Sequence, residues 1–294
     1  MKLLLLGSSG QVGFELERRL TVLGDVVAPK RSELDLADLR AVSAYINELQ
    51  PALIVNAAAY TAVDKAEEEP ELAHSLNAAL PGQLARHACE LDIPLVHFSS
   101  DYVYPGDGQA AWRENSTTGP ASVYGTSKLA GDQAIQASGC RHLIMRTSWV
   151  YSARGHNFMK TMLRLARERS ALKIVNDQIG APTPARLIAD VTLMALHGLL
   201  KGRVESGLYH LAPRGETSWH GFASEIFRQA SAAGETLVVD PSQVAGIPTS
   251  EYPTPATRPL NSRLTLDKLE EALGISLPDW RSQLMLTLAE YLEH

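Results

Sequence analysis

Along the first half of the chain, short apolar runs alternate with longer segments in which apolar positions recur three or four residues apart. The runs Leu3 to Leu6, Val26 to Ala28, Leu53 to Ala57, Leu95 to Phe98 and His142 to Thr147 have the length and composition of strands. Between them, Val12 to Leu23, Leu39 to Leu49, about Leu72 to Leu91, and the segment VYGTSKLAGD from Val123 to Asp132 read as helices. Strands that are apolar throughout are buried on both faces, and a helix between each pair gives the crossover that parallel pairing needs. The pattern predicts an α/β fold with a doubly wound parallel sheet.

Beyond Thr147 the rhythm changes. Asn157 to Glu168 and Leu187 to Leu200 read as helices, and LKIV, near residues 172–176, as one further strand of the sheet. PSQVAGIPTSEYPTPATRPLNSR, from Pro241 to Arg263, is rich in proline and polar residues and is expected to be irregular, yet its apolar and aromatic anchors mark it as ordered. Helices at Leu266 to Leu273 and Trp280 to Leu292 complete the pattern. The expected organisation is a first unit over residues 1–150, which gains the strand near 172–176, and a smaller C-terminal lobe over 151–294.

With 294 residues, 45% of them hydrophobic, the chain can bury a sizeable core. A net charge of -6 offers no basic surface for a phosphate backbone, so nucleic acid is not an expected partner. The run MKLLLL is too short for a signal-peptide core, and no apolar run is long enough to span a membrane. Two cysteines, Cys89 and Cys140, form neither a disulfide framework nor a metal-binding spacing. They are expected to be small buried residues in a reducing, cytoplasmic protein.

Candidate chemistry sits where the predicted strands end. GSSGQVG, holding Gly7, Gly10, Gln11, Val12 and Gly13, lies between the first strand and the first helix. There a glycine-rich turn lets a pyrophosphate reach the unpaired amides and positive dipole end of the helix. The spacing is GxxGxxG, a variant that points toward reductases of the short-chain type. After the second strand come Lys30 and Arg31, with no carboxylate at that point, which favours NADPH over NADH because two cations suit a ribose 2'-phosphate. Asp35 and Leu36 are placed to flank the adenine. The small residues Ala57, Ala58 and Ala59, with Tyr60 and Thr61, follow the third strand at the carboxyl edge of the sheet, where a cofactor can lie close to the backbone; Asn56 adds a polar group there. The acidic run Glu67 to Glu69 reads as a solvated helix start.

Tyr124 precedes Lys128 by four residues, a step that stacks both side chains on one helix face. A lysine cation beside the phenol is expected to lower its pKa toward the range useful for proton transfer. Ser99 and Ser100 end the fourth strand; Ser100 is the expected donor to a substrate carbonyl, with Ser99 beside the cofactor. A phenol, an ammonium and a hydroxyl next to a dinucleotide suit reduction of a ketone by hydride.

GSSGQVG, NAAAYTAVDKAE, SSDYVYPG, VYGTSKLAG, RTSWVYS, NDQIGAPTPA and PTPATRPLNSRL together resemble the extended short-chain dehydrogenase/reductases of the dTDP-4-dehydrorhamnose reductase type, over almost the entire chain. The resemblance implies a Rossmann-type sheet and a substrate-binding lobe. It also implies the last step of dTDP-L-rhamnose synthesis for cell-surface polysaccharide: reduction of the 4-keto group of dTDP-4-dehydro-L-rhamnose by NADPH or NADH. It makes Tyr124 the proton donor, Lys128 its partner and Ser100 the third member of the set, and lets Asp101 and Trp149 contact the deoxysugar. Arg258 is the candidate for the diphosphate, with Asn157, Gln178 and Thr183 in the same cleft. Some relatives hold Mg²⁺ between subunits, but Arg186 stands where a ligand would be sought, so no metal is expected to be required for the chemistry. The oligomeric state expected is monomer or homodimer. Nucleotide-sugar 4-epimerases and 4,6-dehydratases share the fold; a dehydratase would carry Asp-Glu where this chain has Asp101 and Tyr102. The alternative from another class is a non-catalytic NADP(H)-binding regulator.

Overall fold

In the computed structural model, which describes residues 1–293, six parallel strands form the central sheet. Its first part runs β1 (Lys2–Leu6), α1 (Gln11–Leu20), β2 (Asp25–Val27), α2 (Leu39–Leu49) and β3 (Leu53–Asn56). Two short helices, α3 (Val63–Ala66) and α4 (Pro70–His74), and a widened π-type turn, Ser75–Ala79, lead into α5 (Leu80–Glu90). The helix expected over Leu72 to Leu91 is thus real but segmented, with Pro70 and Pro81 each at the start of a new piece, where a missing N–H costs nothing. Then come β4 (Leu95–Ser100), α6 (Val123–Ala137) and β5 (His142–Thr147).

The rest of the chain contributes β6 (Val150–Tyr151), α7 (Phe158–Glu168), β7 (Leu172–Val175), β8 (Ile179–Gly180), β9 (Thr183–Pro184) and α8 (Ala185–Leu200). These are followed by β10 (Gly207–His210), β11 (Thr217–Ser218), α9 (Trp219–Ala232), β12 (Val244–Ile247), α10 (Asp267–Leu273) and α11 (Trp280–Leu292). The strand at Leu172–Val175 does not join the central sheet. It pairs with Val244–Ile247, inside the segment expected to be irregular, and the sixth strand is Gly207–His210 beside β5. Trp219–Ala232, not foreseen, is an amphipathic helix capped by the Ser218 side chain.

The order β10-β5-β4-β3-β1-β2 is doubly wound. Leu3 and Leu5 face one layer with Leu16 of α1 and Ile188 and Leu196 of α8. Leu4 and Leu6 face the other with Ile46 of α2, Leu84 of α5 and Ile135 of α6. Alternate residues of one strand thereby hold two helical layers, and each buried leucine contributes on the order of 2 kcal/mol. A separate core, with Tyr151, Met159, Phe222, Ile226, Trp280 and Leu284, lies under α7, α9 and α11 and belongs to the lobe. The two bodies interleave along the chain, because α8, β10 and α10 return to the central sheet after α7 and β7 have built into the lobe.

Strand order reverses between β1 and β3, the place where open α/β sheets carry a ligand crevice beyond the carboxyl ends. Helix α6 is docked there by its own start. Ser122 Oγ accepts from Gly125 N, and Glu67 Oε1 accepts from Val123 N at 2.9 Å. Glu67 is therefore a helix cap and not a freely solvated charge; a carboxylate at that end also meets the positive pole of the dipole. Gly125 lets the helix touch the Tyr102 carbonyl, since a Cβ would fall 2.3 Å from that oxygen. Of the cysteines, Cys140 is buried as expected but Cys89 is exposed, and both are free. No helix among the described residues is long and apolar enough to cross a membrane.

Candidate active site

The glycine loop follows β1 directly. Gly7 adopts φ +83°, and a Cβ there would lie 2.6 Å from Ala58 N, so the loop after β1 and the Ala57 to Thr61 loop after β3 press backbone to backbone. At Gly13 a Cβ would strike the Gly7 carbonyl at 2.0 Å. Gly10 precedes α1 with no side-chain cap, which leaves the first amides of the helix, at Gln11, Val12 and Gly13, to an anion. A dinucleotide fits this cradle: the backbone is bare where a pyrophosphate would lie. Val12 packs onto the sheet core, and the Gln11 amide oxygen accepts from Asn157 at 2.8 Å.

Lys30 and Arg31 are exposed just beyond β2. Asp35 is exposed and accepts from Ala37 N, while Leu36 packs against the core. Tyr60 is fixed by its hydroxyl on Glu69 at 2.7 Å and its amide on Asn77 at 2.8 Å, and Thr61 is exposed.

Ser99, Ser100 and Asp101 lie at the carboxyl end of β4, and Tyr124 and Lys128 on the face of α6 turned to it. Ser100 Oγ accepts from Tyr102 N at 3.2 Å and donates to Asp101 Oδ1 at 3.0 Å, so it caps the turn as well as facing the phenol of Tyr124. Ser99 points the other way and donates to Asp132, one helical turn beyond Lys128. Its hydroxyl is engaged in a buried network, so any contact of Ser99 with a cofactor falls to its backbone. Tyr102, which the sequence marked only as the residue after Asp101, packs its ring edge-on to Tyr124 at 5.4 Å.

Lys128 corrects one expectation. The four-residue step does put it under Tyr124, but its ammonium nitrogen bonds the Phe98 carbonyl at 2.6 Å and lies 3.3 Å from His97 Nε2. Burial, opposed by Asp132, brings Lys128 down to about 8. Burial raises the Tyr124 phenol, with the Ser100 hydroxyl pulling the other way and Asp101 adding to the rise. The phenol is thus held protonated rather than drawn toward phenolate by the lysine, the state a proton donor requires.

Asp101 is 2% exposed, and its Oδ2 has no well-formed hydrogen bond among the described residues. Burial pushes its carboxyl up to about 6, against the pull of the Ser262 and Ser100 hydroxyls. A carboxyl raised in the folded state contributes most below its unfolded pKa, near 4, and loses that contribution as pH rises through about 6. Asp101→Asn is therefore expected to be more stable than the parent at pH 7 by about 2 to 3 kcal/mol, the advantage disappearing near pH 4. Urea unfolding at the two pH values measures it; an advantage independent of pH would contradict the assignment.

On the lobe side, Trp149 adopts φ +48°, a left-handed conformation unusual for a bulky residue, and stacks on Trp219 at 3.7 Å. Trp219, which the sequence did not single out, donates to Gln178 Oε1 at 3.0 Å. Asn157 caps α7, accepting from Lys160 N, and its amide group bonds Gln11, tying the lobe to the glycine loop. Thr183 is wholly buried and gives its hydroxyl to the Ala181 carbonyl, so it does not line the cleft. Arg258 is paired with Asp64 at 2.5 Å and lies 3.5 Å from the Tyr102 hydroxyl. No three His, Cys, Asp or Glu residues converge as a metal-binding group among the described residues.

A doubly wound sheet, a bare glycine loop and a serine, tyrosine and lysine at the crevice define a Rossmann-type oxidoreductase of the short-chain class. The chain matches the family described as RmlD substrate binding domain over residues 1–293. A dTDP-4-dehydrorhamnose reductase of Salmonella typhimurium is 47% identical over 294 residues, covering 99% of this chain and 98% of that protein. A solved dTDP-4-dehydrorhamnose reductase of Clostridium acetobutylicum superposes with a TM-score of 0.91 at 34% identity, over 100% of both chains. One of Bacillus anthracis, in complex with NADP, gives 0.90 at 32% identity, over 98% of this chain and 99% of that one. The chain belongs to this family, the dTDP-4-dehydrorhamnose reductases.

Proposed function

We propose that the chain catalyses the NADPH-dependent reduction of the 4-keto group of dTDP-4-dehydro-L-rhamnose to dTDP-L-rhamnose, the last step of dTDP-rhamnose synthesis, in the cytoplasm. The observation that carries this reading is the meeting of Ser100, Tyr124 and Lys128 at the carboxyl edge of β4, beside the glycine loop. The bound dinucleotide supplies the hydride. The amides at Gln11 to Gly13 hold its pyrophosphate, Lys30 and Arg31 its ribose phosphate, and Asp35 and Leu36 flank its adenine; the loop from Ala57 to Thr61 walls the crevice. The NADP complex of the Bacillus anthracis relative supports this choice of cofactor.

Tyr124 donates its proton to the oxygen that gains charge, and the Ser100 hydroxyl orients that oxygen. The Ser100 hydroxyl is held by Tyr102 N and Asp101, and a preorganised polar group is what stabilising a developing alkoxide needs. Asp101 and Trp149 meet the deoxysugar. Arg258 is the residue for the diphosphate; Asp64 engages one of its guanidinium nitrogens, and the other N–H groups face the ligand. Asp101 is followed by Tyr102 and not by a second carboxylate, which counts against elimination of water as in a 4,6-dehydratase. The reading includes a monomer or homodimer that needs no metal for the chemistry.

Mixing the protein with dTDP-4-dehydro-L-rhamnose and either NADPH or NADH, and following absorbance of the reduced nicotinamide, tests the reading. Net oxidation matched to the sugar consumed, faster with NADPH, is expected. No net oxidation with either cofactor would point to an epimerase or a binding protein and overturn it.

A further inference from the structure

Asn56, His97 and Lys128 form a buried chain whose hydrogen-bond direction is set at one end by the backbone. The Ala58 N–H can only donate, and it lies 3.2 Å from Asn56 Oδ1, so the NH₂ end of that amide is the one turned to the histidine. Asn56 Nδ2 stands 3.1 Å from His97 Nδ1. That ring nitrogen must accept, and in a neutral imidazole the proton then sits on Nε2. Nε2–H faces Lys128 Nζ at 3.3 Å. An ammonium has donors and no acceptor, so this contact becomes a hydrogen bond only when Lys128 is a neutral amine, which still keeps an N–H for the Phe98 carbonyl at 2.6 Å. The three side chains are 1%, 0% and 1% exposed, so no bulk water can repair a donor set against a donor.

The geometry points to His97 as a positioning residue that, oriented by Asn56 and the Ala58 amide, stabilises the neutral amine of Lys128 relative to the ammonium. The inference rests on the reading of Lys128 as the partner of Tyr124 in proton transfer. Charging Lys128 requires the other tautomer of His97, which sets Nδ1–H against the Asn56 NH₂. Relief comes only if Asn56 turns over and takes its oxygen away from Ala58. Since Ala58 is the residue against which Gly7 packs, the proton state of Lys128 is tied to the loop that walls the cofactor crevice.

The charged groups around Lys128 are few. Asp132, on its own helix, favours the cation, but Asp132 is itself held by Arg146 from β5. His97, from β4, is kept far below the imidazole range by burial and by Lys128, so it does not become a second cation. Tyr124 lies one turn away on α6.

Two measurements on the full chain test this. Nitrogen-15 NMR of labelled histidine at about pH 8.5, with His97 assigned through the backbone, is expected to show the Nε2–H tautomer; the Nδ1–H tautomer or an imidazolium would overturn the inference. In His97→Gln the amide can turn its oxygen to the lysine, so the ammonium is no longer disfavoured. The alkaline limb of the pH profile for reduction should then move up by about one unit or more. A limb that stays in place in a folded His97→Gln would also overturn it. The tautomer is read without turnover, so it stands or falls separately from the role of Tyr124.

Discussion

Replacing Tyr124 by phenylalanine is expected to lower turnover by about 10²- to 10⁴-fold, the usual contribution of a positioned general acid, while binding of NADPH is retained. The phenol sits against Tyr102 and the capped turn at Asp101, and its pKa is raised, so the proton is present when charge develops on the ketone oxygen. Phenylalanine keeps the ring and its edge contact, and the start of α6 is anchored by Ser122 and Glu67 rather than by the phenol. The fold and the glycine loop are therefore unaffected, and the loss falls on kcat. Turnover measured beside a fluorescence titration with NADPH separates the two effects. Unchanged turnover would mean that another group protonates the substrate, or that the protein works by binding alone.

Asp132→Ala is expected to cost about 3 to 5 kcal/mol of stability, because it leaves a buried guanidinium without its counter-ion. Asp132 and Arg146 have side chains 0% and 4% exposed, with Arg146 Nε on Asp132 Oδ2 at 2.9 Å. Ser99 donates to the same oxygen, and Arg146 continues through Tyr104 Oη, at 2.8 Å, to His210 Nε2, at 2.7 Å. Burial drives His210 down to about 3, so the far end of this chain is neutral and offers no charge to offset Arg146 once Asp132 is gone. The network joins β4, β5, β10 and α6, the elements that carry the site. Replacing both ions, with Asp132→Ala and Arg146→Met together, should recover much of the loss, since an apolar pair avoids the desolvation cost. Urea midpoints of the parent and the two variants decide it; a loss under about 1 kcal/mol for Asp132→Ala would show that the pair is not what holds these strands.

The first half of the fold was legible because its signals are local. Fully apolar runs such as Leu53 to Val55 have no amphipathic alternative, and the glycine loop and Ser100 fall where any strand-to-helix turn in such a sheet must present them. The lobe was less legible. Whether Leu172–Val175 joins the main sheet depends on its partner Val244–Ile247, 72 positions further along the chain, and no local periodicity encodes a partner. Gly207–His210 is too short to stand out, yet it supplies the sixth strand.

At the site, spacing showed that Tyr124 and Lys128 share a helix face but not which groups meet their polar ends. The lysine turns to Phe98 and His97, and Ser99 to Asp132, because β4 packs beneath α6. His97 looked like part of an ordinary strand; its chemistry appears only when Asn56 and Lys128 close on it from two other elements. Arg258 and Asp64, from opposite ends of the sequence, form a pair that charge pattern alone could not place.

The most direct test of the account is to supply NADPH deuterated at the transferring position of the nicotinamide, react it with dTDP-4-dehydro-L-rhamnose, and examine the sugar product by mass spectrometry and proton NMR. One deuterium per molecule at C4, with one NADPH oxidised for each product formed, is the result predicted. Product without the label, or label that appears without net oxidation of the cofactor, would contradict it.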